Sequence, residues 1–313
     1  MIVIDENFKE TDDIYIALGS FDGLHKGHMS LITKVSQLAK ANGGKSMVYT
    51  FKDHPLNTIN PKSAPKLIMD NDTKLNLLSG SDIDFVLLQK FDDKFMKLSP
   101  ENFIISICKR FNIKGMVVGF NYRFGYKNQG DIELLFALSK KYNFNLTVMN
   151  PFKDKNTIIS STLIRQLIKQ GNVKKANSYL SMPFMIKGNV VRGKGLGKTI
   201  GYPTANIDYD KRYVLPGEGV YYTNVKYNET LYRGITSVGF NPTVYGEKLT
   251  IETYILDFNE NIYGKEIHLY FIEKTREQIK FPTVENLVEQ LKLDEKSAKM
   301  KKIYINLDKN NLQ

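Results

Sequence analysis

Short apolar runs alternate with amphipathic stretches along the first 160 residues of the chain. Residues 14–18 (IYIAL) form an apolar run that ends at a glycine and predicts a strand, and apolar residues then recur at helical spacing between 31 and 39. The same alternation predicts further strands at 46–51, 84–91, 114–120 and 145–149. Because strands that alternate with helices are typical of a parallel sheet, we expect an α/β domain here.

The pattern changes near Ser181-Met182-Pro183. Residues 160–180, just before this point, predict a Ser/Thr-capped helix and a second helical stretch. After it come short β-rich runs punctuated by glycine: FMIKGNVV, GVYYTNVKY, LYRGITSVGF, LTIETYILDF and EIHLYFIEK. These runs predict an antiparallel barrel or sandwich, and Thr283 caps a final helical stretch. We therefore expect two domains, at 1–182 and 183–313.

Length and composition agree with two globular domains. The chain has 313 residues, more than the roughly 100–200 that one domain usually holds, and 42% of them are hydrophobic. No stretch approaches the roughly 18 uncharged apolar residues of a membrane helix, and the first residues lack the layout of a signal peptide. Cys108 is the single cysteine and lies among apolar residues at helical spacing. We expect a cytoplasmic protein without disulfides.

The net charge of +11 raises polyanions as partners. Only seven of the 44 basic residues are Arg, however, and the Lys residues are scattered along the whole chain. Nucleic-acid and phosphate readers tend to cluster Arg for its bidentate fork, so a solvated Lys-rich surface is the first interpretation, and attraction of small phosphorylated substrates is the alternative. We expect neither a nucleic-acid nor a membrane partner, and a monomer or weak homo-oligomer.

The decapeptide GSFDGLHKGH, residues 19–28, carries the first candidate chemistry. Gly19 and Gly23 allow close approach of backbone to a phosphate, and the helix start that follows offers unpaired N–H groups. His25 and His28 lie on one helical face and could stabilise the charge of a leaving pyrophosphate. A half-site for a metal and incidental surface histidines are the alternatives, although no cysteine or acidic cluster completes a metal ligand set.

The decapeptide closely resembles the GxFDGxHxGH signature of the HxGH nucleotidyltransferase superfamily. Two further segments agree with that family: FNYRFG at 120–125, after a predicted strand, and SSTLIR at 160–165. Without the resemblance, SSTLIR is an ordinary helix cap. The resemblance implies an ATP site for adenylyl transfer built by Gly19, Phe21, Asp22, Gly23, His25, His28, Asn121, Ser161, Thr162 and Arg165.

A second candidate site lies in KGNVVRGKGLGKTIGYPTAN, residues 187–206. Its glycines suit a phosphate-binding loop or hairpin turns equally, and the GxxxxGK[ST] pattern of a P-loop is absent. Thr204 and Asn206 at its end supply hard oxygen ligands suited to Mg²⁺. The string is very similar to the GxVxxGxxxGRxLGFPTAN segment of riboflavin kinases. That likeness implies a kinase ATP site at Gly193, Gly195, Gly197, Lys198, Pro203 and Thr204, with Thr204 and Asn206 as metal ligands.

Downstream segments match riboflavin kinases in the same order: GVYY (219–222), SVGFNPTVYG (237–246), TIETYILDFNENIYG (250–264) and REQIKF (276–281). With an HxGH domain in front, the whole chain resembles the bacterial bifunctional riboflavin kinase/FMN adenylyltransferases, or FAD synthetases. The resemblance implies a Rossmann-like α/β domain followed by an antiparallel Greek-key barrel with a C-terminal helix. It also implies that Glu252 is the catalytic base of the kinase, that Arg276 binds flavin, and that His25, His28 and Arg165 are catalytic in adenylyl transfer.

The activity so implied is phosphorylation of riboflavin to FMN and adenylylation of FMN to FAD, with two ATP and Mg²⁺. Lys198, Tyr202, Tyr254 and Asn128 depart from the family pattern, which usually shows Arg, Phe, His and often Arg at these places. Asn128 favours an alternative in which only the kinase is active. A basic nucleic-acid-binding or flavin-sensing regulator is the alternative from another class, favoured by the charge alone.

Overall fold

The computed structural model describes residues 1–5, 8–193, 195–243 and 246–305, apart from the side chains of residues 196 and 241–248. These residues form two compact units. The first comprises 1–65 and 70–160, and the second comprises 66–69 and 161–305.

The first unit alternates strands and helices, as the hydrophobic pattern predicts. Its strands are β1 Ile2–Ile4, β2 Glu10–Leu18, β3 Lys45–Phe51, β4 Phe85–Gln89, β5 Phe111–Gly119, β6 Asn145–Met149, β7 Lys153–Asp154 and β8 Thr157–Ile158. Its helices are α1 Lys26–Ala41, α2 Leu56–Ile59, α3 Asn71–Ser79, α4 Asp93–Met96, α5 Pro100–Arg110 and α6 Ile132–Lys141, with 3₁₀ turns at Pro61–Ser63 and Tyr126–Asn128. The α/β prediction is confirmed.

Six parallel strands form the sheet of this unit in the order β1-β4-β3-β2-β5-β6. The chain builds outward from β2 to β4 on one side and then from β5 to β6 on the other, so the strand order reverses between β2 and β5. Open α/β sheets bind ligands beside such a reversal, at the carboxyl ends of the strands. The loops after β2 and β5 therefore mark the expected site.

Local sequence explains how helix α5, which packs against β5, begins and which face it buries. Helix α5 begins after Ser99, whose hydroxyl accepts from the amide of Asn102, and Pro100 takes the first helical position, where no N–H is required. Phe103, Ile104 and Ile107 form its buried face. Partial burial against the core raises the pKa of the neighbouring Cys108 thiol to about 11, so at neutral pH the thiol is protonated and a poor nucleophile.

The second unit contains a closed antiparallel barrel. Its strands are β9 Met185–Val191, β10 Thr204–Tyr209, β11 Gly219–Tyr227, β12 Thr230–Thr243, β13 Gly246–Ile255 and β14 Glu266–Arg276. Its helices are α7 Ser161–Lys169, α8 Val173–Asn177, α9 Leu196–Thr199 and α10 Val284–Lys299. The meander β11-β12-β13 is joined by β14, which returns to pair with β11, and this order is a Greek key. The barrel and its C-terminal helix are confirmed, and the sandwich alternative is wrong.

A chain of buried hydroxyls crosses the inside of the barrel. The Oγ1 atoms of Thr223 and Thr236 lie 2.8 Å apart, and Thr236 donates to Thr253 over the same distance of 2.8 Å. All three side chains are fully buried, so each hydroxyl depends on its neighbours for hydrogen bonding. Because Thr253 points inward, the residues on either side of it in β13, Glu252 and Tyr254, lie on the outer face.

Candidate active sites

The GSFDGLHKGH loop leaves the sheet where the strand order reverses. β2 pairs with β5 through Ala17 and Val117, and the amide of Gly19 donates to the carbonyl of Tyr49 on β3 over 3.2 Å. The loop thus starts between two neighbouring parallel strands, at their carboxyl ends. This is the place at which a doubly wound sheet binds a nucleotide.

Left-handed backbone gives the loop its shape. Phe21, Gly23 and Leu24 have φ of 48°, 83° and 38°. A residue other than glycine in this region costs of the order of 1–3 kcal/mol and persists only where its surroundings hold it. Phe21 and Leu24 are fully buried, and Asp22 is only 6% exposed, so packing supplies that constraint. Such a strained, well-packed turn is typical of a ligand-binding loop.

The two histidines lie together at the start of α1. His25 is the N-cap, and its Nδ1 accepts from the amide of His28 over 3.3 Å. The imidazole rings stack with centroids 3.6 Å apart, while the ring of Phe21 meets His28 edge-on at 5.3 Å. His25 is 6% exposed and His28 is half-buried. The arrangement presents two imidazoles as a unit beside the positive end of a helix, where an anion is stabilised.

Asn121 follows β5, the strand that pairs with β2. It is exposed, and its Oδ1 lies 3.8 Å from the place that a Cβ on Gly119 would occupy. Asn128, one of the departures from the family pattern, is also exposed and has φ of 57° at the end of a 3₁₀ turn. Asparagine tolerates this left-handed region better than arginine does, so backbone shape gives a physical reason for the departure.

Residues 161–165 of the segment SSTLIR belong to the second unit in the structure, whereas Ser160 is the last residue of the first unit before it. Ser161, Thr162 and Arg165 lie in the first turns of α7, and Nε of Arg165 donates to the carbonyl of Lys66 over 2.6 Å. That Ser161, Thr162 and Arg165 bind ATP together with the histidines stays a prediction.

The second candidate site lies on the outer face of the barrel. β10 pairs with β13 so that Thr204 is opposite Tyr254 and Asn206 is opposite Glu252. Directly opposite residues share a face, so the two predicted metal ligands and the predicted base project on the same side. On its other flank Glu252 is opposite Ser237 of β12. Strand β10 itself is missed by the sequence pattern, which treats these residues as the end of the glycine loop.

The glycine loop packs closely against this face. A Cβ on Gly193 would collide with the side-chain amide of Asn206, so only glycine leaves that side chain its place. Gly195 has φ of 78° and is the N-cap of α9, the short helix that carries Gly197 and Lys198. The amide of Tyr202 then donates to the carbonyl of Gly197 over 2.8 Å, which turns the chain toward Pro203 and Thr204. The residues predicted to form the kinase ATP site therefore adjoin one another.

Arg276 makes a bidentate ion pair with a residue of α10. Its Nη2 and Nε lie 2.7 and 3.1 Å from Oδ2 of Asp294, and the two side chains are 18% and 10% exposed. Gln290 donates to the other oxygen, Oδ1, of the same carboxylate over 2.9 Å. Arg276 also donates from Nη1 to the backbone carbonyl of Glu277 over 3.1 Å. Binding of flavin by Arg276 stays a prediction.

Two departures from the family pattern contact each other. The rings of Tyr202 and Tyr254 meet edge-on with centroids 5.2 Å apart. The hydroxyl of Tyr202 donates to Oε2 of Glu295 on α10 over 3.3 Å. Burial raises the pKa of Tyr202, and the carboxylate of Glu295 raises it further, so this hydroxyl stays protonated and able to donate at neutral pH. The two tyrosines thus connect the start of β10 to α10.

The paired histidines lie in the loop where the strand order of the sheet reverses, and Glu252 lies on the outer face of the barrel. These two features are typical of a two-domain, nucleotide-dependent transferase. Residues 7–163 match the family model of FAD synthetase, and residues 180–301 match that of riboflavin kinase. The chain belongs to the family of bifunctional riboflavin kinase/FMN adenylyltransferases.

Similar proteins span nearly the whole chain. The bifunctional riboflavin kinase/FMN adenylyltransferase of Listeria monocytogenes is 34% identical over 286 residues, covering 91% of each chain. That of Buchnera aphidicola from Acyrthosiphon pisum is 33% identical over 293 residues, covering 92% of this chain and 93% of its own.

A solved structure from Streptococcus pneumoniae superposes with a TM-score of 0.87 at 34% identity, covering 96% of this chain and 99% of that one. It is described as a macrolide-efflux protein. Among the described residues of the present chain, no helix is both long and apolar enough to span a membrane.

Proposed function

We propose that the residues of each candidate site carry out one of two successive reactions on a flavin. As a member of its family, the chain makes FMN from riboflavin and then FAD from FMN. We assign the first reaction to the barrel face and the second to the histidine loop. The observation that supports the first assignment best is the register that places Asn206 directly opposite Glu252.

In the kinase reaction, Glu252 accepts the proton of the riboflavin 5′-hydroxyl as that oxygen attacks the γ-phosphorus of ATP. The new O–P bond forms as the bond between the γ-phosphorus and the bridging oxygen breaks, and ADP leaves. The glycine loop at 193–198 cradles the ATP phosphates through backbone N–H groups, with the ammonium of Lys198 nearby. Thr204 and Asn206 are two positions apart in β10, so both face the same side as the base.

Mg²⁺ fits this face as a partner of ATP. Among the residues the structure describes, no group of three or more His, Cys, Asp and Glu side chains is placed to hold a metal on its own. Hard oxygen atoms from Thr204 and Asn206 are suited to a cation whose remaining ligands are phosphate oxygens and water. When bound, Mg²⁺ neutralises the charge of the phosphates.

In the adenylyl transfer, an oxygen of the FMN phosphate attacks the α-phosphorus of ATP, and pyrophosphate leaves as the bond between the α-phosphorus and the bridging oxygen breaks. The reaction needs no covalent enzyme intermediate. His25 and His28 stabilise the charge on the leaving group, and the N–H groups at the start of α1 bind the phosphates. Asn121 is a further ATP contact in this proposal, and ATP binding by Ser161, Thr162 and Arg165 stays a prediction from the resemblance.

Residue 182 remains our proposed boundary between the two functional domains, although residues 161–182 pack with the barrel unit. We also propose a cytoplasmic enzyme, which the single cysteine supports, and a monomer or weak homo-oligomer, because a net charge of +11 opposes self-association. Sedimentation at two salt concentrations tests the last point. A stable oligomer at low salt would contradict it.

The two activities are tested by incubating the protein with riboflavin, ATP and Mg²⁺ and separating the flavins by chromatography, and single-residue variants test which site carries each. FMN and FAD are both expected. FMN alone would support the kinase-only alternative, and bound riboflavin without turnover would support a flavin-sensing regulator.

A further inference from the structure

Helix α3 places a lysine inside the first unit. Lys74 is 5% exposed and lies one turn before Leu78, which is fully buried on the same helix face. Lysine is almost never this buried unless its ammonium has partners, because an isolated buried charge is very costly. Nothing in the sequence around Lys74 distinguishes it from the other lysines, and its burial becomes evident only in the structure.

The ammonium of Lys74 reaches the histidine loop. Nζ of Lys74 lies 3.4 Å from the carbonyl oxygen of Ser20, and the buried hydroxyl of Thr50 on β3 donates to the same oxygen over 2.8 Å. This carbonyl immediately precedes Phe21, the first left-handed residue of the loop, and the ring of Phe21 packs edge-on against His28. The ammonium of Lys74 and the hydroxyl of Thr50 therefore fix the Ser20 carbonyl, and through Phe21 they fix the position of the His28 ring.

The positive charge of Lys74 also affects phosphate binding, because carboxylates lie around it. Asp22 of the loop, Asp53 after β3 and Asp70 at the N-cap of α3 all interact electrostatically with the ammonium. Asp22 is 6% exposed and stands within the predicted ATP-binding loop. A buried carboxylate there would repel phosphates if its charge were not offset. Lys74 supplies the offsetting charge.

We propose that Lys74 is a positioning residue for adenylyl transfer: its buried ammonium, with the Thr50 hydroxyl, fixes the Ser20 carbonyl and balances Asp22, so that the loop presents its histidines to the ATP polyphosphate. Lys74 does not touch the substrate in this proposal. It acts through the loop backbone and through Asp22.

The first test compares Lys74→Met with Lys40→Met, which changes a lysine that is 64% exposed on α1. Misplacing a catalytic group by about 1 Å can cost on the order of 10²-fold, and we expect a loss of this size in kcat/KM for FAD formation in Lys74→Met, with a raised KM for ATP. Riboflavin phosphorylation, measured in the same sample, should be unchanged. Equal FAD formation by the two variants at 25 °C would overturn the proposal, even if Lys74→Met melted earlier.

The second test compares the pH dependence of the unaltered chain with that of a variant that keeps the positive charge. Burial lowers the pKa of Lys74 from 10.5, and Asp22, Asp70 and Asp53 oppose that shift. As pH rises through the lowered pKa, the ammonium is lost, so FAD formation by the unaltered chain should fall before the kinase activity does. Lys74→Arg, which stays charged, should keep its own activity through that range. A decline of both reactions at the same pH, or the same early decline in Lys74→Arg, would contradict the proposal.

Discussion

Asn206 and Glu252 lie directly opposite each other on two antiparallel strands of the barrel. The pair juxtaposes an amide oxygen suited to Mg²⁺ and a carboxylate suited to take a proton. The residue after Glu252, Thr253, is fully buried inside the barrel, so the strand alternation turns the carboxylate to the outer face. A shift of register by one residue would turn it inward, which is why strand pairing, and not local sequence, positions the base.

Glu252→Gln should stop FMN formation and leave conversion of FMN to FAD intact. The amide cannot accept the hydroxyl proton, and loss of a general base costs about 10²–10⁴-fold in rate. Separate assays with riboflavin and with FMN as substrate measure the two reactions. Glu229→Gln, an exposed glutamate paired with Lys226 on the same barrel, is the matched control. Wild-type FMN formation in Glu252→Gln would remove Glu252 from the kinase mechanism.

Asn206→Ala should raise the Mg²⁺ concentration that the kinase needs. The side chain is proposed as a metal ligand, and losing groups that support a metal site typically weakens affinity by about tenfold or more. A titration of FMN formation with Mg²⁺ at saturating riboflavin measures the effect. Asn189→Ala, which changes an exposed asparagine of β9, should leave the titration unchanged. If both variants need the same Mg²⁺ as the unaltered chain, Asn206 holds no metal.

His28→Ala should abolish FAD formation and spare FMN formation. Removing one group that stabilises transition-state charge costs about 10²–10³-fold, and the alanine also frees the rings of His25 and Phe21 that pack on His28. Chromatography of a riboflavin, ATP and Mg²⁺ reaction should then show FMN accumulating. His268→Ala, on the barrel beside Glu266, is the control. Loss of FMN formation in His28→Ala would reverse the assignment of the two sites.

The alternation of strands and helices in the first half could be predicted because buried parallel strands are apolar runs that differ sharply from amphipathic helices. Strand β10 could not, because its sequence TANIDY has only Ile207 and Tyr209 buried. Helix α10 likewise continues to Lys299, beyond the stretch at 283–291 that the sequence predicts to be helical. Pairing with β9 and β13 makes β10 a strand, and such pairing is not visible locally.

In the candidate sites too, some features are visible in the local sequence and others arise only from contacts between distant residues. The histidine loop and the glycine loop have sequence signatures because backbone shape limits which residues fit them. Lys74 and Thr50 have none, because their importance arises from a carbonyl 54 and 30 residues away along the chain. Residues 244–245 of the SVGFNPTVYG segment lie outside the described residues.

Tyr202→Phe should weaken ATP binding in the kinase reaction. The change removes the hydrogen bond from the Tyr202 hydroxyl to Glu295 and keeps the ring contact with Tyr254. Tyr202 precedes Pro203 and Thr204, so a looser Tyr202 loosens the proposed ATP loop. A hydrogen bond of this kind contributes about 1 kcal/mol, which corresponds to a rise of roughly fivefold in KM for ATP. Tyr232→Phe, in a similar edge contact with Phe258, is the control, and equal KM values would contradict the prediction.

Glu273→Gln should lower the stability of the barrel unit in a pH-dependent way. The carboxylate of Glu273 on β14 pairs with Lys301, which follows α10, and with Lys174 of α8 at 3.3 Å. The hydrogen bond from Lys301 holds the pKa of Glu273 below its usual 4.5, against the effect of burial, and Lys174 lowers it further.

The sign of the effect follows from that direction. Because the folded-state pKa is lowered, the contribution of Glu273 to stability is present above about pH 4.5 and is lost as pH falls through the lowered value. We expect Glu273→Gln to cost about 1 kcal/mol at pH 7, measured by calorimetry, and progressively less below pH 4.5. Glu277→Gln, which changes a glutamate that is 77% exposed beside Lys274, should cost little at either pH. A cost that stayed constant from pH 7 to pH 3.5 would show that these ion pairs do not stabilise the unit.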